Sequence, residues 1–413
     1  MTPLLLLLLA QAPYDIVLQG GRVIDPKNNV DRVADIAIQD GRIATIGNNL
    51  SGKKNLNVKG MVVTPGLIDI HVHLFASTGM PKMWAGDYSI RPDDFSFRTG
   101  VTAMADAGSA GWRNFEMFRH SIIDRAQTRT YAFINVSGLG MMTDLAEQGD
   151  FNPKEIAALA KKHSDVVVGV KTAHYQGPDW DSVDRAVEAG TLANIPVMVD
   201  FGYFHIERPF WQLVTEKLRP GDIATHMFRG PVPYKDKNGK LPEFLMKARQ
   251  RGVKFDVGHG GGSFVFRNAD AATKMGFYPD SISTDLHTGS MNGVMMDMPT
   301  TMSKMLALGV PLVEVIREST WNPAQEIKKP ELGHLTPGAY ADIAVWNLME
   351  GEFGLADFEK GGVKAKQRFF CELTLKDGKI MWDWNARDSK DWKALPPTYG
   401  LRPGIDSIVL PEK

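Results

Sequence analysis

Cysteine is nearly absent from this chain: 413 residues contain one, Cys371. That excludes an internal disulfide and a thiolate metal cluster, so any metal must sit on nitrogen and oxygen ligands, and Cys371 itself reads as a buried structural residue. No basic run with interleaved aromatics occurs. Lys plus Arg (47) nearly balances Asp plus Glu (48), which leaves no electrostatic footprint for nucleic acid or an anionic membrane. The expected partner is a small molecule. Solenoid-type repeats are lacking too. Long apolar runs are missing apart from the stretch at 4–9, far too short for a stable membrane span. Ala10-Gln11-Ala12 follows it with the small-x-small form of a signal-peptidase site. Residues 1–12 are therefore expected to be an export signal and the mature protein periplasmic or secreted. The alternative is an uncleaved cytoplasmic chain, because no Lys or Arg precedes the run and Pro13 would follow the cut.

What is present is ample apolar content, 43% hydrophobic against 23% charged, enough for at least one large globular domain. Residues 13–61 read as short strands separated by Gly-, Asn- and Asp-rich turns, a small all-β unit. From 62 to 337 short apolar runs alternate with longer amphipathic stretches, the pattern of parallel βαβ units. Candidate strands lie at 62–70, 101–105, 130–136, 166–171, 195–199, 222–225, 253–257 and 281–284. They predict an α/β fold, a closed (β/α)8 TIM-type barrel. Strand character returns within 338–385, so both chain ends are expected to build one small β-sandwich domain beside the barrel, with 386–413 a C-terminal tail.

Several predicted strands end in a polar residue, and in an eight-stranded barrel those ends converge on one face, where sites of this fold lie. Period-two alternation puts His71 and His73 on the same side of the first strand, placed to chelate one ion. Lys171 closes the apolar run Val166-Val167-Val168-Gly169-Val170, where an unpaired ammonium is costly. A buried lysine beside cations loses its proton more readily and then reacts with carbon dioxide to give a carbamate, an anion able to bridge two ions. The sixth strand ends at His226 and the eighth at Asp285, supplying an imidazole and a carboxylate. Each match alone is weak; four strand ends together argue for a metal site.

At these residues the sequence resembles the amidohydrolase superfamily from about Tyr14 to Met381. Thr64-Pro65-Gly66-Leu67-Ile68-Asp69-Ile70-His71-Val72-His73 looks like the family's first-strand signature, and residues 338–346 look like its return to the β domain. The stretches at 222–228 and 255–264 are similar to a bacterial amidohydrolase/deacetylase branch related to dihydroorotase. The resemblance implies two divalent ions, usually zinc, bridged by a carboxylated lysine. His71, His73 and Asp285 would hold the first ion, His226 the second, and Lys171 both. Many relatives are homo-oligomers.

One departure stands out. Such relatives usually present a histidine at the end of the fifth strand, where this chain has Asp200. Aspartate is a competent ligand, and a hydrogen-bonding role is the alternative; His205 is a further candidate to reach in from the loop. The expected chemistry is hydrolysis, with metal acidifying water and Asp285 as acid/base. His259, flanked by glycines, is expected to contact substrate or orient a ligand, and His174, Tyr175 and Tyr203 are candidate substrate contacts. Arg229 would meet a substrate carboxylate or form a surface ion pair. Six methionines, Met291, Met295, Met296, Met298, Met302 and Met305, read as helix core rather than a pocket wall. The expected substrate is an N-acyl or O-acyl small molecule. The competing readings are a cyclic amidase of dihydroorotase or hydantoinase type and, in another class, a silent binding or scaffold protein.

Overall fold

The structure is a computed structural model that describes residues 14–75, 88–141, 149–202 and 204–408. The expected export signal and Tyr203 lie outside the described residues. The first sheet begins with β1 (Tyr14–Asp25), β2 (Val30–Gln39), β3 (Arg42–Gly47), β4 (Gly52–Asn57) and β5 (Val62–Pro65). Then come the barrel strands β6 (Leu67–Val72), β7 (Val101–Gly111), β8 (Arg129–Asn135), β9 (Val167–Ala173), β10 (Val197–Asp200), β11 (Ile223–Thr225) and β12 (Lys254–Phe255). Finally β13 (Ile343–Ala356), β14 (Gly362–Lys376) and β15 (Lys379–Asp383) return to the first sheet. Its order is β15-β14-β13-β5-β1-β2-β3, with β4 on β1, so the two chain ends do pair into one β domain.

The apolar run at 62–70 is not one strand. It breaks at Gly66: β5 pairs with β1 and β13 in the mixed sheet, whereas β6 pairs with β7 in the barrel. A Cβ at Gly66 would lie 2.3–2.4 Å from the side chain of Thr102, so only glycine lets the chain cross between sheets here. The boundary expected after residue 61 therefore falls four residues later.

The seven barrel strands run parallel in chain order from β6 to β12. Closure is made by residues 281–286, through a parallel bridge from Asp256 to Ser281 on one side and from Val72 to Leu286 on the other. Backbone bonds Val257 N to Ser281 O (3.0 Å), Asp285 N to His71 O (2.6 Å) and His73 N to Leu286 O (3.0 Å) carry the ladder around. This is the (β/α)8 TIM-type barrel.

Helices between strands follow the expected local signals. Pro153–Lys162 starts at Asn152, whose side chain accepts from Glu155 N, has proline in its first turn and lysines in its last, and buries Ile156, Ala157 and Ala160. Burying an isoleucine of this kind stabilises the fold by roughly 1.5–3 kcal/mol. Of the six methionines, Met298, Met302 and Met305 are buried on the helix Met298–Ala307, as helix packing predicts; Met295 is buried in the segment before it, and Met296 is exposed. Cys371 is buried and free, and burial pushes its thiol up to about 12. No helix among the described residues is long and apolar enough to cross a membrane.

Candidate metal centre

The strand ends bring the expected groups together. His71 Nε2 lies 3.0 Å from Lys171 Nζ and 3.6 Å from Asp285 Oδ1, and His73 Nε2 is 3.1 Å from the same oxygen. Ligand atoms of His71, His73 and Asp285 all fall within 4.8 Å of one another, a group able to hold a cation. Across the mouth, His226 Nε2 and His174 Nε2 lie 3.2 and 3.0 Å from Asp200 Oδ2. The His71 and His226 rings are 5.1 Å apart, so both groups share one rim. Between them is a cavity of about 40 Å³ whose lining includes His73, His174, Asp200, Asp285 and His287. Its size suits an ion or a water, not a substrate.

Hydrogen-bond partners fix how these rings face. His71 Nδ1 is 2.9 Å from Thr225 Oγ1, whose hydroxyl donates to Asp256 Oδ2 at 2.6 Å, so the threonine oxygen accepts and His71 Nδ1 carries the proton. His226 Nδ1 is 2.5 Å from the Gly258 carbonyl, which only accepts. His73 Nδ1 is 3.0 Å from Ser109 Oγ, and Ser109 in turn bonds Asp106. Each ring in its neutral form therefore points an Nε2 lone pair into the mouth, that of His71 towards Lys171 Nζ and Asp285 and those of His73 and His226 towards carboxylate oxygens. Lone pairs facing carboxylates repel unless a proton or a metal lies between, and outer partners that hold an imidazole this way are a hallmark of metal sites.

The charges follow from burial. Lys171 is fully buried, which pushes its ammonium pKa down against the pull of Asp200 and Asp285. Burial, then the Lys171 charge, lowers His71 to about 3. For Asp285 and Asp200 burial acts upwards but is outweighed by neighbouring imidazoles, and both carboxyls stay well below the usual range. His226 moves up because the Asp200 charge outweighs its burial. Asp69, two residues before His71 on the same parity, is raised by burial to about 7 and holds Thr284 through its backbone N–H and its hydroxyl.

Other expected residues fall differently. His259 is wholly buried, stacked on Phe264 at 4.6 Å with Nε2 2.7 Å from Lys304 Nζ, and does not line the cavity. Its glycine neighbours touch the site instead: Gly258 accepts from His226, and a Cβ at Gly260 would sit 2.2 Å from Asp285 Oδ2. Arg229 donates to the Phe201 carbonyl and lies over Phe204. His205 bridges to Arg208 and is not in the cavity wall. Tyr175 bonds Asp179. Asp256, Thr225 and His287 were missed by sequence reasoning. His287 shares parity with Asp285 two residues earlier, a signal that was readable; Asp256 carried none.

The model of the Amidohydrolase family matches residues 263–381. A deacetylase of Brucella anthropi is 34% identical over 82% of this chain and 85% of its own length. The solved structure of a dihydroorotase superposes with a TM-score of 0.77 at 30% identity, covering 89% of this chain and 99% of that one. An adenine deaminase structure gives 0.80 at 27% identity, covering 90% and 100%. The chain belongs to the amidohydrolase family.

Proposed function

We propose that this protein is a metal-dependent hydrolase that cleaves the acyl bond of an N-acyl or O-acyl small molecule. The observation that carries the reading is the set of three imidazoles, His71, His73 and His226, each held by its Nδ1 with Nε2 turned towards Asp285 or Asp200. His71, His73 and Asp285 would hold one divalent ion and His226 with Asp200 a second, zinc being the ion that suits imidazole and carboxylate donors. Lys171 would reach both as its carbamate: the neutral amine adds to carbon dioxide, an N–C bond forms and one proton leaves to solvent. Gly108 leaves the space that this lysine occupies. Bound divalent ions supply Lewis acidity, polarising a carbonyl and lowering the pKa of water.

The chain's own residues then handle the proton. Asp285 Oδ1 faces the imidazoles, while Oδ2 lies 4.0 Å from His287 Nε2 on the cavity side. Asp285 takes the proton of the attacking water and delivers it to the leaving nitrogen or oxygen as the acyl bond breaks. His287 and Tyr88, whose rings are 5.3 Å apart beside Asp285, stand where they can position the acyl group.

The test is metal content of the purified protein together with a panel of acetylated amino acids and esters, hydantoin, dihydroorotate and aminopurines. Metal-dependent turnover of acyclic acetyl compounds is expected. Absence of divalent metal, or turnover confined to rings, refutes the reading. A cyclic amidase is the second reading, favoured by 57% identity over 61 residues to a dihydroorotase of Solibacter usitatus.

A further inference from the structure

We infer that the second cation site of this chain is built from His174, Asp200 and His226, with His174 supplying the imidazole that the fifth strand lacks. The inference rests on the metal-dependent reading above and adds a ligand to it. Asp200 Oδ2 is approached by two imidazole nitrogens, His174 Nε2 at 3.0 Å and His226 Nε2 at 3.2 Å. Two donors on one tetrahedral zinc, each about 2.0–2.1 Å from it, lie roughly 3.3 Å apart. These spacings therefore fit a shared ion as well as they fit hydrogen bonds.

The unpartnered carboxylate oxygen favours the ion. The Gly258 carbonyl occupies His226 Nδ1, so His226 meets Asp200 through Nε2 alone. The other carboxylate oxygen, Asp200 Oδ1, is buried with no hydrogen-bond partner, and the residue is only 6% exposed. Leaving a buried carboxylate oxygen unsatisfied is costly, and a cation removes that cost. Asp200 and His174 also line the same 40 Å³ cavity, so there is room for the ion beside them.

His174 is placed by the same backbone device as two of the expected ligands. It follows the last residue of β9 with φ +57°, as His226 follows β11 with φ +60° and Asp285 sits in the closing segment with φ +51°. Left-handed backbone at a non-glycine residue is uncommon and is kept where the surroundings require it. Gly202 completes the arrangement, because a Cβ there would lie 2.6 Å from His174 Cδ2.

The experiment is calorimetric titration of the chelator-stripped full chain with Zn2+, comparing wild type, H174A and, as a control, H205A. Two equivalents are expected in the wild type and in H205A. H174A should keep one site unchanged and weaken the other at least tenfold. Zinc X-ray absorption on the wild type needs no variant and should return an average of about two imidazoles per zinc, against about one and a half if His174 stays out. Unchanged two-site binding in H174A, a single equivalent in the wild type, or the lower imidazole count overturns the inference while leaving a metal-dependent hydrolase intact. A wild type that binds no zinc overturns both.

Discussion

Replacing Gly108 by alanine tests whether the backbone around Lys171 is shaped for that lysine. Gly108 has φ +84°, and an added Cβ would lie 2.7 Å from both Cβ and Cγ of Lys171 and 3.3 Å from Asn135 Nδ2. Those lysine atoms are the base of a fully buried side chain, so they cannot swing aside as a flexible tip does. Alanine in the left-handed region costs roughly 1–2 kcal/mol, and forcing a methyl into a packed interior adds about 1–3 kcal/mol. The expected loss of stability is therefore about 2–5 kcal/mol. The control is Gly60→Ala, where φ is +81° but nothing lies within 4 Å, so only the backbone cost of roughly 1–2 kcal/mol applies. Urea unfolding of the two variants should separate these contributions. In folded G108A, a displacement of Lys171 on the order of 1 Å should lower turnover about 100-fold, with zinc content falling as well; G60A should keep both. Equal stability loss in the two variants, with zinc and turnover intact in G108A, would refute the argument that this glycine exists to seat the lysine.

Three further outcomes are expected. Asp285→Asn should retain metal within about tenfold yet lower kcat by about 10²–10⁴-fold, since an amide cannot carry the proton; undiminished turnover removes Asp285 from the mechanism. Asp256→Asn should weaken zinc binding by about 10–100-fold without touching the ion, because Asp256 accepts from Thr225, Ser281 and Ser283 and an amide offers one of them a donor instead; unchanged affinity means His71 is not oriented through this chain. Lys304, buried against His259, is depressed by burial to about 7. A depressed lysine binds its proton more weakly folded than unfolded, so stability relative to Lys304→Met should rise between pH 7 and 10.5, at up to about 1.4 kcal/mol per pH unit. A flat difference between the two proteins over pH 7–9 in urea unfolding would count against a neutral Lys304.

The barrel was legible because its strands carry their polar residues at their ends, where a buried apolar run gives no other reason for His71, Lys171, His226 and Asp285. Parity did the same for His71 with His73, since a strand alternates faces whatever surrounds it. Two things were hidden, each for a physical reason. The run at 62–70 is largely apolar throughout, and only the strand pairing in space, with Gly66 against Thr102 at the crossing, shows that two sheets share it. The directions of His174 and His259 depend on loop backbone, which no period in the sequence encodes.

That last point decides what the departure at Asp200 means. Read along the chain, an aspartate in place of a histidine is a lost imidazole. In the fold, the residue just beyond β9 turns left-handed and brings an imidazole to the same carboxylate from the neighbouring strand, so the nitrogen is moved and an anion is added. A site changed in that way keeps its donor number while gaining negative charge, which strengthens cation binding and makes any water on that cation less acidic. The pH–rate profile carries the consequence: its acidic limb should lie higher in the wild type than in Asp200→His, which restores a neutral donor. An identical acidic limb in both proteins would show that Asp200 does not set the acidity of the nucleophile.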